Sequence, residues 1–521
     1  MIFSFINSRF FLVLLLPLIL GSLTVFSFQP YNFSYINFLI IPSLFLLTIY
    51  VQKKSKNRFR NKPYLLNLFL IGYLFGVGFF LAGTHWISYS LTFDDSFEFL
   101  IPISVVGLPL FLGLFFGFGN LIIGPFLQKN FVSIIVFSSI LSFMDYLRAI
   151  VLSGFPWNLW AYSLSWLPEV LQLLPLIGFY TFNMICIIVY AAPLLLFFEN
   201  RKKNLSIFVI FLFFLLGNFI YGSTIIKNNS ANLKKNLNNL VFIKIVSPNF
   251  DLKYNLSDSD IRKVISELIK FSDPKKGKST LFVWPEGVFS GYEFEEIKKY
   301  SALFERAFSD EHLIIFGSSI SSAQGKNSDV FNSMIVVNNK LEIINRYDKQ
   351  KLVPFGEFLP LEKYLKKVGL KKITEGYGSF QKGESHKVFL IDKLKILPLI
   401  CYEIIFPELG KKISKNIIVN ISEDAWFGNS IGPHQHFAKS IFRAVESNVF
   451  LIRSANKGIS AFVNNKGVVI KSLKPSEIGI IELNVPLINN EQKKNKIDLI
   501  FYMLLFTCVF IFSLYKINEK K

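Results

Sequence analysis

Eight stretches of this chain are apolar over the length that crosses a bilayer, and seven of them precede residue 223. A hydrocarbon core about 30 Å thick requires about 20 apolar residues wound as a helix, because an unpaired backbone amide finds no water there. The stretches lie near 10–28, 33–51, 64–90, 99–127, 131–152, 170–198, 204–222 and 498–515. They divide the 521 residues into a membrane domain of seven helices (1–222), a linker rich in Asn and Lys (223–239), a polar domain (240–487) and a final span. The first span follows Arg9 as a signal peptide would, but no small-x-small cleavage site precedes Gln29 and a second span follows almost at once. An uncleaved helix is expected. Asp145 and Arg148 interrupt the fifth span; either they pair at one helix end or they mark a functional surface.

A formal net charge of +20 first suggests nucleic acid. Much of the excess, however, lies in short loops between spans. Residues 52–62, Asn200–Lys203 and the tail Lys516–Lys521 are basic, whereas the loop at 92–98 holds Asp94, Asp95 and Glu98 without Lys or Arg. With eight spans and the N-terminus in the cytoplasm, every basic loop is cytoplasmic, and the acidic loop and the polar domain lie outside. The charge is read as topology, and no nucleic-acid partner is expected. Three cysteines, two of them (Cys186 and Cys508) inside apolar stretches, make no disulfide framework.

The polar domain interleaves strand and helix patterns, which predicts an α/β or α+β fold. Strands are expected at Leu240–Val246, Thr280–Trp284, Leu313–Phe316, Ser333–Val337, Ile396–Cys401, Ile417–Ile421, Phe450–Arg453, Ile459–Val463 and Ile480–Val485. Helices are expected at 257–271, where Ile261, Val264, Ile265, Leu268 and Ile269 share a face, and at 294–308 and 437–448. Residues 361–372 set Leu361, Tyr364, Leu365 and Val368 opposite lysines, which fits either an interfacial helix that gates lipid entry or an ordinary surface helix.

Three segments carry candidate chemistry. A strand ends in Trp284-Pro285 and presents Glu286; Tyr347-Asp348-Lys349 precedes Leu352-Val353-Pro354-Phe355-Gly356-Glu357; an apolar run delivers Cys401 beside Tyr402 and Glu403. Cys401 is the only thiol of the polar domain, and a thiol can carry an acyl group as a thioester. A free thiol ionises near pH 8.5, so a nearby ammonium that favours the anion and a carboxylate that accepts the proton both help. A Cys–His pair with His434 or His436 is the competing arrangement. Those two histidines, in a Gly-Pro loop, also have i, i+2 spacing, but no Cys, Asp or Glu ligand pattern accompanies them. They are read as pocket or loop residues, and no metal or other cofactor is expected.

Glu, Lys and Cys in this chain order resemble the nitrilase (carbon-nitrogen hydrolase) superfamily. Trp-Pro-Glu, Tyr-Asp-Lys-x-x-Leu-Val-Pro-Phe-Gly-Glu, Cys-Tyr-Glu, Asp424-Ala425-Trp426-Phe427-Gly428, Gly154-Phe155-Pro156-Trp157 and Gly432-Pro433-His434-Gln435-His436-Phe437, together with the order of spans, are similar to the bacterial apolipoprotein N-acyltransferase family. The resemblance implies a nitrilase-like α-β-β-α sandwich on a membrane domain of about eight spans. It also implies Cys401 as nucleophile, Glu286 as general base, Lys349 at the oxyanion, Glu357 and Glu403 as supporting carboxylates, and Tyr402, Trp426, Tyr254 and Trp157 as possible pocket residues. The implied reaction moves a fatty acyl chain from a membrane phospholipid, through a thioester, to the N-terminal amine of a lipoprotein precursor, at the outer face of the bacterial inner membrane. Two other readings share parts of this pattern: a membrane-anchored amidase or nitrilase that delivers its acyl group to water, and a transporter carrying a binding module. Against the latter, intramembrane charges are sparse and no repeated pair of broken helices is seen.

Overall fold

The computed structural model describes residues 6–58, 63–235, 239–254, 257–322, 329–365, 367, 379–385, 387–411, 413–488 and 497–520. They form two units, Met1–Ile225 with Asn495–Lys521, and Ile226–Lys494.

In the first unit, eight helices among the described residues are long and apolar enough to cross a membrane: Phe10–Ser27, Ser34–Lys54, Tyr64–Thr92, Asp95–Phe126, Phe131–Ile150, Phe179–Phe197, Arg201–Ala231 and Leu499–Glu519. Lipid tails are as apolar as leucine, so the helices are held by close packing of small residues rather than by hydrophobic segregation. A Cβ on Gly76 would lie 2.8 Å from the Cα of Gly113, which shows how near the helices Pro63–Thr84 and Ile101–Ile123 come. The sixth span starts nine residues later than the hydropathy suggests. Gly178 has φ of 78° and separates the short helix Leu174–Ile177 from Phe179–Ala191, so one apolar run becomes two elements. Residues 223–235, expected as linker, continue the helix Arg201–Lys235; Asn and Lys cost a helix little, and composition alone does not break one.

The interruption in span five is a buried ion pair. Arg148 Nη2 lies 2.9 Å from Asp145 Oδ1, and both side chains are almost wholly enclosed. Asn183 Nδ2 donates to the other carboxylate oxygen at 3.1 Å, and Arg148 also donates to the carbonyl of Phe155.

The second unit is built on two six-stranded sheets. The strands are β1 (Leu240–Ser247), β2 (Thr280–Val283), β3 (His312–Ser321), β4 (Val330–Val337), β5 (Ile343–Asp348), β6 (Phe389–Ile391), β7 (Leu394–Ile400), β8 (Ile417–Glu423), β9 (Phe450–Asn456), β10 (Ser460–Val463), β11 (Val469–Leu473) and β12 (Gly479–Pro486). One sheet runs β12-β1-β2-β3-β4-β5 and the other β11-β10-β9-β8-β7-β6. Each has a parallel centre, β1-β2-β3 or β7-β8-β9, flanked by antiparallel strands. Parallel neighbours require long crossovers, which the helices Asp258–Ser272 and Gly432–Ser447 supply.

Strand side chains alternate, and the alternation builds the layers. Leu281, Val283, Ile243 and Ile245 turn toward Ile396, Ile400, Ile417 and Ile421 of the other sheet. Phe282, Trp284 and Val246 turn the other way, onto Ile261, Ile265, Leu268, Phe304 and Phe308 of the helices. The helix Gly432–Ser447 covers the second sheet along β9 and β10, completing an α-β-β-α sandwich. Burying one such side chain contributes about 1.5–3 kcal/mol, so the two apolar layers dominate the stability of this unit.

Three strands escape the sequence patterns. β5 (IINRYD) is half exposed and carries three polar residues, β6 has three residues, and β11 exposes four of its five. The helix expected at 294–308 is split into Phe294–Lys298 and Ser301–Ala307. The helix expected at 437 begins at Gly432, with a proline in its first turn, where the missing N–H costs nothing. His434 and His436 are therefore helical, which corrects their reading as loop residues. Of the segment 361–372, Glu362–Leu365 forms one helical turn with Tyr364 exposed; residue 366 and residues 368–372 lie outside the described residues.

Candidate active site

The residues singled out in the polar domain converge at one end of its two sheets. Glu286 follows β2, Lys349 follows β5 directly and Cys401 follows β7 directly. β2 and β7 are apolar and buried and stop where the chain meets polar groups, whereas β5 is half exposed and carries Asn345, Arg346 and Asp348.

Lys349 is the hub. Its Nζ donates to Glu357 Oε1 at 2.7 Å and to Glu286 Oε1 at 3.3 Å, and only 1% of its side chain is exposed. Asn332, on β4, donates its amide to the same two oxygens, at 2.7 Å to Glu357 and 2.8 Å to Glu286. The carbonyl of Asn332 also accepts from the backbone N–H of Lys349 at 2.9 Å, so one residue fixes both ends of the lysine's environment. Glu357 is held in turn by its own tight turn: Oε2 accepts from Val353 N at 2.9 Å while Glu357 N donates to Val353 O at 2.9 Å. Burial opposes the Lys349 ammonium, but Glu286 and Glu357 outweigh it and the pKa is raised. The lysine is thus a fixed cation, not a proton donor.

Cys401 begins the turn Cys401–Ile405 with φ of 45°. A residue with a Cβ is strained in this left-handed region, by about 1–2 kcal/mol. The thiol is buried, and burial pushes its pKa up; the charge of Glu286 acts in the same direction and Lys349 against both. Burial thus outweighs the lysine, which favours the anion, and the sulfur rests as the thiol. A carboxylate whose charge is felt at the thiol has the chemistry to accept a proton from it. The other oxygen of Glu286 accepts from the backbone N–H of Glu423 at 3.1 Å. Gly317, on β3, passes so close that a Cβ there would stand 2.9 Å from Glu286 Cα.

Glu403 is fully buried and works through the backbone. Oε1 accepts from Tyr347 Oη at 2.7 Å, Gln350 N at 2.7 Å and Lys351 N at 3.2 Å, and Oε2 accepts from Ile400 N at 2.9 Å. It ties the residues on both sides of Lys349 to the strand end that bears Cys401. Tyr402 is buried and packs edge-on against Phe406, with ring centroids 5.1 Å apart. Trp426 lies partly exposed in the turn Asp424–Phe427, and Tyr254 lies partly exposed after β1. Trp157 belongs to the first unit, buried against Trp86 at 4.8 Å and stacked on Phe155 at 6.0 Å.

The structure adds residues that the motifs do not single out. Asn332 is one. Glu423, at the end of β8, is another; it is 3% exposed, and its pKa is pushed up to about 8 by burial, with Glu286 adding to the effect. Asn456, its partner across β8 and β9, donates to both its oxygens at 3.0 Å. Arg453 is a third; it is buried with Asp424 and His436, two residues of the quoted motifs. Arg453 holds the Asp424 pKa down at about 2 against its burial. For Asn332 and Glu423 a signal was present: Asn and Glu are depleted in strands, so such a residue near the end of an apolar strand is informative. Among the described residues no group of three or more His, Cys, Asp or Glu is placed to hold a metal ion.

Comparison with known proteins agrees with both units. Residues 20–192 match the family model of the apolipoprotein N-acyltransferase N-terminal domain, and residues 246–492 match that of carbon-nitrogen hydrolase. The chain is 32% identical over 429 residues to the apolipoprotein N-acyltransferase of Brucella melitensis biotype 1, covering 80% of this chain and 79% of that one. It is 34% identical over 431 residues to the enzyme of that name from Rhizobium leguminosarum bv. trifolii, covering 80% of each. Among solved structures, an amidase from Nesterenkonia sp. aligns at 15% identity and a TM-score of 0.37, over 50% of this chain and 95% of that one.

Proposed function

Because the chain belongs to the apolipoprotein N-acyltransferase family, a family of multi-pass membrane enzymes with a carbon-nitrogen hydrolase domain, we propose that it acylates lipoprotein precursors through a thioester on Cys401. Residues 1–222 and 498–515 form the membrane domain, and 240–487 the catalytic one. In the first half-reaction the Cys401 sulfur bonds to an ester carbonyl carbon of a membrane phospholipid. Glu286 takes the thiol proton, Lys349 faces the negative charge that develops on the carbonyl oxygen, and the C–O bond breaks. Glu286 returns the proton to the departing oxygen, leaving a lysophospholipid. In the second, the α-amine of the lipidated N-terminal cysteine of the precursor bonds to the same carbon and the C–S bond breaks. The amine's proton passes through Glu286 back to sulfur. An amide results and the thiol is restored, so the cycle is ping-pong.

The observation that carries this reading is the buried Lys349 between Glu286 and Glu357, beside a thiol kept neutral until it reacts. One preorganised donor at an oxyanion is worth about 3 kcal/mol in a dry site. Drawing an acyl chain into water would cost about 0.8 kcal/mol per CH₂, so both substrates favour a site at the bilayer surface. The basic loops support an arrangement with both termini in the cytoplasm and the catalytic domain outside the inner membrane. Tyr402, Trp426, Tyr254 and Trp157 are assigned to substrate pockets on the same reading.

The test is mass spectrometry of the full-length protein after incubation with phospholipid. The wild type should gain one acyl mass on Cys401, which a diacylglyceryl-cysteine peptide then removes as an amide. Cys401→Ser and Glu286→Gln should stay unmodified. Acylation of the serine variant's peptide at the wild-type rate, or release of the chain only as free fatty acid, would refute the proposal.

A further inference from the structure

Cys401 is held from behind by groups that have no part in the chemistry described so far. His436, wholly enclosed and the fifth residue of the helix Gly432–Ser447, places Nε2 3.2 Å from the backbone carbonyl oxygen of Cys401. Its Nδ1 lies 3.0 Å from Asp424 Oδ1 and 3.0 Å from Arg453 Nη2. Arg453 also donates to Asp424 Oδ2 at 2.8 Å, to Ile459 O at 3.1 Å and to Asn420 Oδ1. Ser422 donates to Asp424 Oδ1 at 2.6 Å and reaches the Cys401 side chain as well.

The proton arrangement follows from which atoms can only accept. A carbonyl oxygen has no proton to give, so the contact with Cys401 is a hydrogen bond only if Nε2 carries one. Burial, reinforced by Arg453, holds the His436 pKa down to about 4, so the ring is neutral at working pH and Nδ1 is bare. A bare nitrogen beside a carboxylate would repel it; Arg453 Nη2 supplies the donor that Nδ1 then needs, and Asp424 is satisfied by Ser422 and Arg453. The cluster thereby selects one tautomer, the one that can hold Cys401.

We propose that His436 is a positioning residue for the nucleophile: its Nε2–H, by holding the Cys401 carbonyl, keeps the strained Cys401–Tyr402 peptide turned so that the sulfur faces Glu286 and Lys349. Because a peptide is planar, fixing the carbonyl fixes the Tyr402 N–H on its other side too. Asp424 and Arg453 act through the ring. The inference rests on the thioester reading given above, and it concerns acylation rather than lipid binding.

The experiment compares single-turnover acylation of full-length wild type, His436→Phe and His436→Gln in phospholipid micelles, with melting temperatures alongside. His436→Phe keeps the bulk and loses the donor; its acylation rate constant should fall about tenfold or more, the worth of one ordinary hydrogen bond, at unchanged half-saturation by lipid. His436→Gln, which can still donate, should recover part of that loss. Equal impairment in both variants, or a wild-type rate in His436→Phe, overturns the inference while leaving the thioester intact. A wild type that forms no acyl-enzyme overturns both readings. Should neither variant fold, ¹⁵N NMR of the histidines in the wild-type protein decides the matter: a His436 proton on Nε2 at neutral pH supports the inference, and one on Nδ1 refutes it.

Discussion

Each carboxylate around Lys349 has a different burden, and burial sorts them. Glu286 and Glu357 share one ammonium and one amide donor, whereas Glu403 is satisfied by three backbone N–H groups and a phenol. Among the described residues, Glu423 has Asn456 and the N–H of Ala425 to offset its burial. Its folded pKa of about 8 stands above the ordinary carboxylate value of 4.5. From about pH 4.5 to 8 the folded carboxyl keeps a proton that the unfolded one has released, so its contribution to stability falls as pH rises through that window. Glu423→Gln should therefore melt like the wild type at pH 5 and several degrees higher at pH 8, as read by thermal unfolding of the solubilised protein. His436 has the opposite sign of window. The unfolded ring is protonated from about pH 6.5 downward and the folded ring only near 4, so stability falls as pH drops between the two.

At the scale of elements, the site is made where strands end. β7 is apolar to Ile400 and then reverses into the left-handed Cys401, so the thiol stands at the point where the ladder with β8 stops. β5 brings Tyr347 and Lys349 to the same place. Tyr347 is 1% exposed, faces the core between the sheets and ends in the hydrogen bond to Glu403. Burial and the Glu403 charge both raise its pKa, so it stays a donor at every physiological pH. Tyr347→Phe should cost about 1.5–3 kcal/mol in chemical denaturation, the range for hydrogen bonds to charged groups, and lower acylation by loosening the chain around Lys349. β5 is also the element least visible in the sequence, since Asn345 and Arg346 interrupt it where β1, β7 and β8 offer apolar runs.

For the whole molecule, the membrane unit carries the most expensive single feature. Asp145 and Arg148 are sealed among helices, and removing either partner strands a charge that has no water. Asp145→Leu or Arg148→Met alone should destabilise the membrane unit by about 3–5 kcal/mol, while the double variant should cost markedly less. Thermal unfolding in detergent with the four chains side by side checks this; equal losses in the single and double variants would show that the pair is not coupled. Of the whole architecture, what could be read from the sequence is what depends on local chemistry. The spans follow from apolar length, most strands of the polar domain from alternation, and Glu286, Lys349 and Cys401 from motifs at strand ends. The break at Gly178, the helix beginning at Gly432 rather than at 437, and the strand β6 depend on how segments pack, and local pattern is silent there. The sequence alone thus determined which groups are available and in what chain order. Tertiary structure alone decided that Asn332 bridges two glutamates, that burial raises the Glu423 pKa, and that His436 reaches the back of Cys401. Those contacts join residues 25 to 46 positions apart for Asn332 and 35 for His436, and only the closing of two sheets on each other fixes which buried polar groups must satisfy one another.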